Sequence, residues 1–559
     1  MLSDPLETPA RQAGAGASAG KAVTAECYPI SILPELSRLF LDFCERHDAL
    51  SPFYPASAFS TDWMTAPVRL SAPRRSELCS RLEEQSREYG AAPPALENIA
   101  RLRNGAGAVV TGQQVTLFGG PLFTLFKAAT AIRRAREASA SGYPHVPVFW
   151  LATEDHDLAE ADHIALPAKG EIRVLRAPAA GAAGAPVGEL RLGEGLDDVL
   201  RQAAEILGPG PFLESLRRCY RPGATFGRAF AELLSRIFAA QGLIVIDASS
   251  RGFHALGRDV LRAALVRADE LHSALADRAD ELEAAGYHAQ VLTPPQSSLL
   301  FLIDADSGAR LPLRRPSPGQ WLAGERTYST GELLEVLDEA PERLSPNALL
   351  RPVFQDAILP TAVYVGGPSE IAYFAQSQVL YERIAGRTTP VLPRLSATLI
   401  EPGVAKILAR HEISLPWVME TSARDPLELA QTLGARALPA EWKRRLAAAG
   451  HALEAELAAL TEYAAAADPG LARACETAAS KMLYQMNRLR LMAANHQLQR
   501  EHRLASDVQA IAVHLFPERS PQERVLGSAW HLSRYGEALP DLLVRHAGEH
   551  CPGHKAIWL

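Results

Sequence analysis

What the chain lacks narrows its function first. Its 559 residues carry 57 Lys and Arg against 64 Asp and Glu, a formal net charge of −7, so bulk electrostatics do not favour nucleic acid as a partner. No uninterrupted apolar run approaches the roughly 20 residues that a spanning helix needs, and no basic-then-apolar leader opens the chain. A cytoplasmic protein with no membrane partner is expected. The six cysteines (Cys27, Cys44, Cys79, Cys219, Cys475 and Cys551) are scattered without a CxxC pair, a pattern that reads as reduced thiols. The familiar local motifs are missing as well: GxxxxGK[ST], GxGxxG after a strand, HExxH and GxSxG. Their absence argues against the common ATPases, dinucleotide enzymes, zinc proteases and α/β-hydrolases. No metal is expected, because His156, His163 and Asp157 fit no standard ligand spacing.

What is present fits a multidomain globular protein, with 47% apolar and 22% charged residues over a length that exceeds one typical core. Residues 1–27, rich in Ala, Gly and Ser, read as a disordered tail. Residues 28–420 read as a doubly wound α/β core with insertions at about 165–225 and 265–345. The first insertion looks irregular. In the second, His288–Leu292, Leu299–Asp304 and Arg310–Arg314 look like short antiparallel strands, after one long helix over about 255–285. Ser329 with Glu332 makes a capping-box pattern. Trp442, Leu446, Ala449, Leu453, Leu457, Leu460 and Ala464 recur at coiled-coil spacing. Asp468–Pro469–Gly470 breaks the run and a second run follows, which predicts a helical coiled-coil hairpin over 421–515 and a C-terminal segment, 516–559, packed on the core.

Three apolar strands end abruptly in polar or glycine-rich residues. In an open α/β sheet such residues line the ligand crevice at the carboxyl ends of the strands. After Ala108–Val110 come Thr111, Gly112, Gln113 and Gln114, then Gly119 and Gly120 before a helix, a cradle suited to an anion. After Val146–Ala152 come Glu154, Asp155, His156 and Asp157, which offer acid–base chemistry. After Ala362–Val365 come Gly366, Gly367, Ser369 and Glu370. Arg394 and Ser396 follow the last strand, where arginine suits a carboxylate or phosphate. Lys481, Tyr484, Asn487 and Arg488 share a face of the second long helix, either as a nucleotide site or as a solvated surface.

The segments TGQQ…LFGGPLFTLFKA, PVFWLATEDHD, LRPVFQD…LPTAVYVGGPSEIAYFAQ and PRLSATLIEP together resemble the cysteine-adding ligase family of bacillithiol biosynthesis. The resemblance runs over roughly residues 30–559. It implies a Rossmann-like parallel-sheet core with inserted connecting segments and a C-terminal coiled coil that makes a homodimer. It also implies a ligase that joins cysteine to the amine of glucosaminyl-malate. A carboxylate must be activated before an amine attacks it, so ATP or another activating nucleotide is the expected cofactor. Glu154, Asp155, His156 and Asp157 are then the candidate catalytic group, with the strand-end glycines, amides and Arg394 binding substrate. The competing readings are a nucleotidyl- or glycosyltransferase on the same core and a non-catalytic coiled-coil assembly protein.

Overall fold

The computed structural model describes residues 24–66, 70–424 and 427–559. At its centre lie five parallel strands: β1 (Gly107–Gln114), β2 (His145–Ala152), β3 (Ile244–Asp247), β4 (Thr361–Gly366) and β5 (Val391–Pro393). Their spatial order is β5–β4–β1–β2–β3. The chain therefore winds outward one way from β1 to β3 and then crosses back to add β4 and β5 on the other side of β1. The strand order reverses between β1 and β4, the place where doubly wound sheets open a crevice. Val109, Val110, Val148, Val363 and Val365 are fully buried, as continuous apolar strands covered on both faces must be. The pairing is in register at the carboxyl edge: Gly112 opposes Trp150, Val365 opposes Thr111, and Gly366 opposes Pro393. That alignment brings residues from four separate strand ends to one rim. Helix α1 (Leu122–Ala140) follows β1, and α2 (Pro368–Leu380) follows β4. Pro368 occupies the first turn of α2, where its missing N–H costs nothing.

Several local expectations change. The stretch read as irregular holds an antiparallel hairpin, His163–Ala168 with Glu171–Arg176, and helices Leu196–Leu207 and Pro211–Cys219. The single helix expected over 255–285 is two, Arg251–Val266 and Ala268–Ala284. They break at Arg267, whose side chain is tied to Glu270 and the Arg383 carbonyl. Leu300–Ile303 pairs with Arg310–Pro312 and with Leu344–Pro346, but residues 288–292 form no strand. There the Gln376 side chain bonds both the N–H and the carbonyl of Val291, taking the place of a partner strand. The capping box forms: Ser329 N donates to Glu332 Oε2 at 2.7 Å, and Glu332 N donates to Ser329 Oγ at 3.2 Å.

The expected boundary at residue 27 is corrected, because residues 25–27 belong to a strand. Ala25–Tyr28 is a strand paired with the C-terminal strand His554–Trp558, which itself pairs with Ala397–Ile400. Residues 1–23 lie outside the described residues. Cys27 and Cys551 are joined in a disulfide, so the reading of all six cysteines as free thiols is corrected. The pair is 524 residues apart in sequence, and only the strand pairing of the two chain ends brings it together, which spacing cannot reveal.

The hairpin consists of α3 (Ala440–Ala467) and α4 (Pro469–Arg500). Asp468 turns the corner and caps α4, accepting from Leu471 N at 2.8 Å. Helix Glu428–Arg436 crosses α4 so closely that a Cβ on Gly434 would stand 2.6 Å from the Ala494 carbonyl. Much of the hairpin's apolar surface stays uncovered: Trp442 is 51% exposed, Leu460 58% and Met492 61%. Among the described residues no helix is long and apolar enough to cross a membrane.

Candidate functional site

A cavity of about 470 Å³ opens at the carboxyl edge of the sheet, over the reversal between β1 and β4. Its floor is Gly112, Gln113 and Gln114 from β1, with Trp150 and Ala152 from β2. A Cβ on Gly112 would stand 2.8 Å from the Trp150 carbonyl, so glycine is what lets the two strands run this close. One wall is cationic. Lys127 of α1 is 3% exposed. It donates to the Gly112 carbonyl at 2.7 Å and to Gln113 Oε1 at 2.8 Å, and it is ion-paired with Glu370. Glu370 also accepts from Tyr364 Oη at 2.6 Å and from Gly367 N at 2.8 Å. Burial lowers the Lys127 pKa against the pull of Glu370. Burial would raise that of Glu370, but the Lys127 charge and three hydrogen bonds outweigh it and hold the carboxylate ionised.

Arg351 bonds Tyr373 Oη at 2.9 Å, and burial pushes the Tyr373 phenol up to about 12. Arg394 lies beside them. Its two terminal nitrogens donate to the Leu395 carbonyl and to Glu523, each at 2.7 Å, and among the described residues its Nε has no hydrogen-bond partner. That Nε would be 3.5 Å from a Cβ on Gly367, the N-cap of α2. The first N–H groups of a helix lack intrahelical acceptors and favour negative charge, so α2 adds its positive end to this wall. On the β2 side stands Asp155. It accepts from Gln114 Nε2 at 2.6 Å and from His156 N at 2.7 Å, and Glu160 also lines the cavity. A carboxylate- or phosphate-bearing molecule fits the cationic wall, and an amine fits Asp155.

Of the residues marked in the sequence, Gly112, Gln113, Gln114, Asp155, Gly367, Ser369, Glu370 and Arg394 meet at this cavity. Gly366 and Ser396 line a smaller hollow beside it. The others are placed elsewhere. Thr111 is buried and donates to the Val365 carbonyl at 2.8 Å, tying β1 to β4. Gly119 and Gly120 face the protein: their Cβ positions would meet Ser528 Oγ at 2.9 Å and Thr116 Oγ1 at 2.1 Å. Glu154 turns away from the cavity to His254, at 2.9 Å. Burial lowers the His254 pKa, but the Glu154 charge overcomes it and leaves it raised. His156 Nδ1 faces Arg310 at 3.3 Å, and Asp157 caps a short helix by accepting from Glu160 N at 3.3 Å. Lys481, Tyr484, Asn487 and Arg488 are exposed along α4. The 370 Å³ hollow of the hairpin lies on Trp442, Leu446, Met486 and Leu489 instead. The buried cations lie at the strand-end cavity, whereas those of α4 stand on an exposed face.

Sequence reading missed Phe123, Lys127, Arg351, Tyr364, Tyr373 and Arg524 at the cavity. Lys127 had a signal: it is a lone charge in the apolar run Leu122–Ile132, where an unpaired lysine would be costly. Arg524 had none, because it reaches the site only through the tertiary fold.

The family model for the N-terminal Rossmann-like domain of BshC, of bacillithiol biosynthesis, matches residues 25–395. The model for that family's C-terminal coiled-coil domain matches residues 397–559. The chain is 41% identical over 536 residues to a "Putative cysteine ligase BshC" of Koribacter versatilis, covering 95% of this chain and 99% of the relative. A protein of the same description from Solibacter usitatus is 35% identical, again covering 95% and 99%. One from Salinibacter ruber is 33% identical, covering 93% and 95%. The parallel sheet with its strand-end cavity and the long helical hairpin thus fall on the two domains of one family, and the chain belongs to the BshC family of bacillithiol biosynthesis.

Proposed function

We propose that the chain joins cysteine to glucosaminyl-malate through an amide bond, as the last step of bacillithiol formation. The observation that carries this reading is the division of the strand-end cavity into a cationic wall and a carboxylate, Asp155, in the turn after β2. The cysteine carboxylate first attacks a phosphorus of ATP, forming an acyl-adenylate or acyl phosphate and releasing pyrophosphate or ADP. Lys127, Arg351 and Arg394 supply the positive field that phosphates and carboxylates need. The sugar amine then attacks the acyl carbon and expels AMP or phosphate, and Asp155 takes the proton that the nitrogen sheds. In this assignment Glu154, His156 and Asp157 shape the turn that carries Asp155. The description of the relatives as cysteine ligases and the family's pathway support the reading.

The test is incubation of the full chain with cysteine, glucosaminyl-malate and ATP, read by mass spectrometry. The cysteinyl adduct, with one equivalent of AMP or ADP, is the expected product. A nucleotidyl- or glycosyl-transfer product in place of the adduct overturns the assignment. The hairpin completes the proposal as a homodimer contact, since the apolar residues exposed along α3 and α4 suit a second copy of themselves.

A further inference from the structure

The cavity's cations do not all come from the Rossmann-like part. Arg524 lies on the short helix Gln522–Val525, beyond the hairpin in sequence, yet it lines the strand-end cavity and the hollow beside it. The turn that carries it is fixed by two buried polar neighbours. Gln522, 1% exposed, accepts from Leu399 N at 2.8 Å and donates to the Leu399 carbonyl at 2.9 Å. Glu523, 3% exposed, accepts from Arg394 at 2.7 Å and from Ala397 N at 2.9 Å, and Ser396 Oγ donates to it at 3.2 Å. Burying a carboxylate and an amide is unfavourable unless both are well bonded. Here they are, and the result is a rigid turn whose next side chain, Arg524, is exposed at the cavity.

The other cations are already engaged. Lys127 is committed to Glu370 and Gln113, and Arg394 to Glu523. Among the described residues no ion pair or side-chain hydrogen bond occupies the Arg524 guanidinium. It is the cation of this wall with its planar fork free, the geometry that grips a carboxylate or phosphate through two parallel bonds.

We infer that Arg524 is a substrate-contacting residue, delivered to the site by the C-terminal region, and that it binds the anionic end of a substrate. The ligase reading above supplies only the identity of the candidate anions: the malate carboxylates, the nucleotide phosphates or the cysteine carboxylate. The C-terminal domain, residues 397–559, is then part of the active site.

The experiment uses full-length wild type, Arg524→Ala and Arg524→Lys. KM is measured for cysteine, glucosaminyl-malate and ATP in turn, and calorimetry follows L-malate, L-cysteine and pyrophosphate binding to the free protein. Arg524→Ala should raise KM for one anionic substrate roughly five- to fiftyfold, the loss of one charge-assisted contact, with kcat changed less. It should weaken binding of the matching probe in parallel, and Arg524→Lys should restore part of the loss. Malate moving identifies the sugar-malate carboxylates, pyrophosphate moving identifies the nucleotide, and cysteine moving identifies its own carboxylate. KM values and probe affinities indistinguishable from wild type overturn the inference. If wild type yields no cysteinyl adduct, the ligase reading fails, and calorimetry still decides Arg524. Equal probe binding by wild type and Arg524→Ala, or no binding by wild type, overturns it.

Discussion

Lys127 and Glu370 form the buried charge pair on which the cationic wall is built. Lys127 is nearly inaccessible, and its three acceptors are the Gly112 carbonyl, Gln113 and Glu370. Replacing it with methionine leaves Glu370 without its cation in a low-dielectric pocket, a change that costs about 3–5 kcal/mol. Denaturant unfolding of Lys127→Met should show that loss. Lys127→Met/Glu370→Leu should recover a large part of it, because removing both charges also removes the burial cost. Asp155 is a different case. It is partly exposed and bonded through Gln114 and its own turn, so Asp155→Asn should fold as wild type does. Turnover should fall by about 10²–10⁴, the usual share of a general base. Wild-type kcat from Asp155→Asn would remove it from the chemistry. The TEDHD cluster was legible as a site because carboxylates at the end of an apolar strand have no business in a core. Which of its members faces the ligand was not legible. That depends on His254, 100 residues downstream, and on Arg310 from an insertion.

At the scale of elements, the sheet positions the site, and its strands were readable from apolar runs that end in glycine or polar residues. The glycines themselves were open to two readings, and the structure separates them. Gly112 and Gly367 line the cavity, whereas Gly119 and Gly120 shape the β1–α1 turn. Gly120 has φ 67° and ψ −164°, a region essentially restricted to glycine. Its carbonyl accepts from Ser528 N at 2.8 Å, so the turn also anchors the C-terminal region. Gly120→Ala must meet both the backbone strain and the Thr116 hydroxyl, and should lose about 2–4 kcal/mol of stability. Gly367 has φ −86°, which alanine adopts freely. Gly367→Ala should keep wild-type unfolding while its added methyl, beside Glu370 and Arg394, weakens substrate binding. The insertions were the least legible elements. Their strands are two to six residues long, and where Gln376 replaces a partner strand at Val291 the local sequence carries no trace of it.

The whole molecule is held together by its ends. The strand Ala25–Tyr28, the C-terminal strand and Ala397–Ile400 form one small sheet, clipped by Cys27–Cys551. A crosslink between chain ends removes much unfolded-state freedom, so Cys27→Ser should cost about 2–5 kcal/mol, and reductant should lower the melting temperature of wild type but not of the variant. Two buried histidines in the same C-terminal region set the response to acid. Burial of the ring, reinforced by the charges of His514 and Arg534, lowers the His531 pKa to about 3. Burial lowers the His554 pKa to about 4 against the pull of Glu523. His554 is the bonded one: its two ring nitrogens meet Ser396 and Thr398 at 2.8 and 2.9 Å. Both rings are neutral in the folded state at pH 5, while in the unfolded chain each titrates near 6.5. Below pH 6.5 the unfolded state therefore binds more protons, and stability falls with pH until the folded pKa values are reached. Each ring accounts for about 2 kcal/mol between pH 6.5 and 5. His254, whose pKa is raised, acts with the opposite sign and loses its contribution as pH rises through its folded value. Denaturant midpoints of wild type should thus drop on acidification from pH 7 to 5, and those of His531→Phe should drop less steeply. Parallel slopes for the two proteins would mean that His531 is protonated in the fold, and that the wall around it holds a partner for the charge.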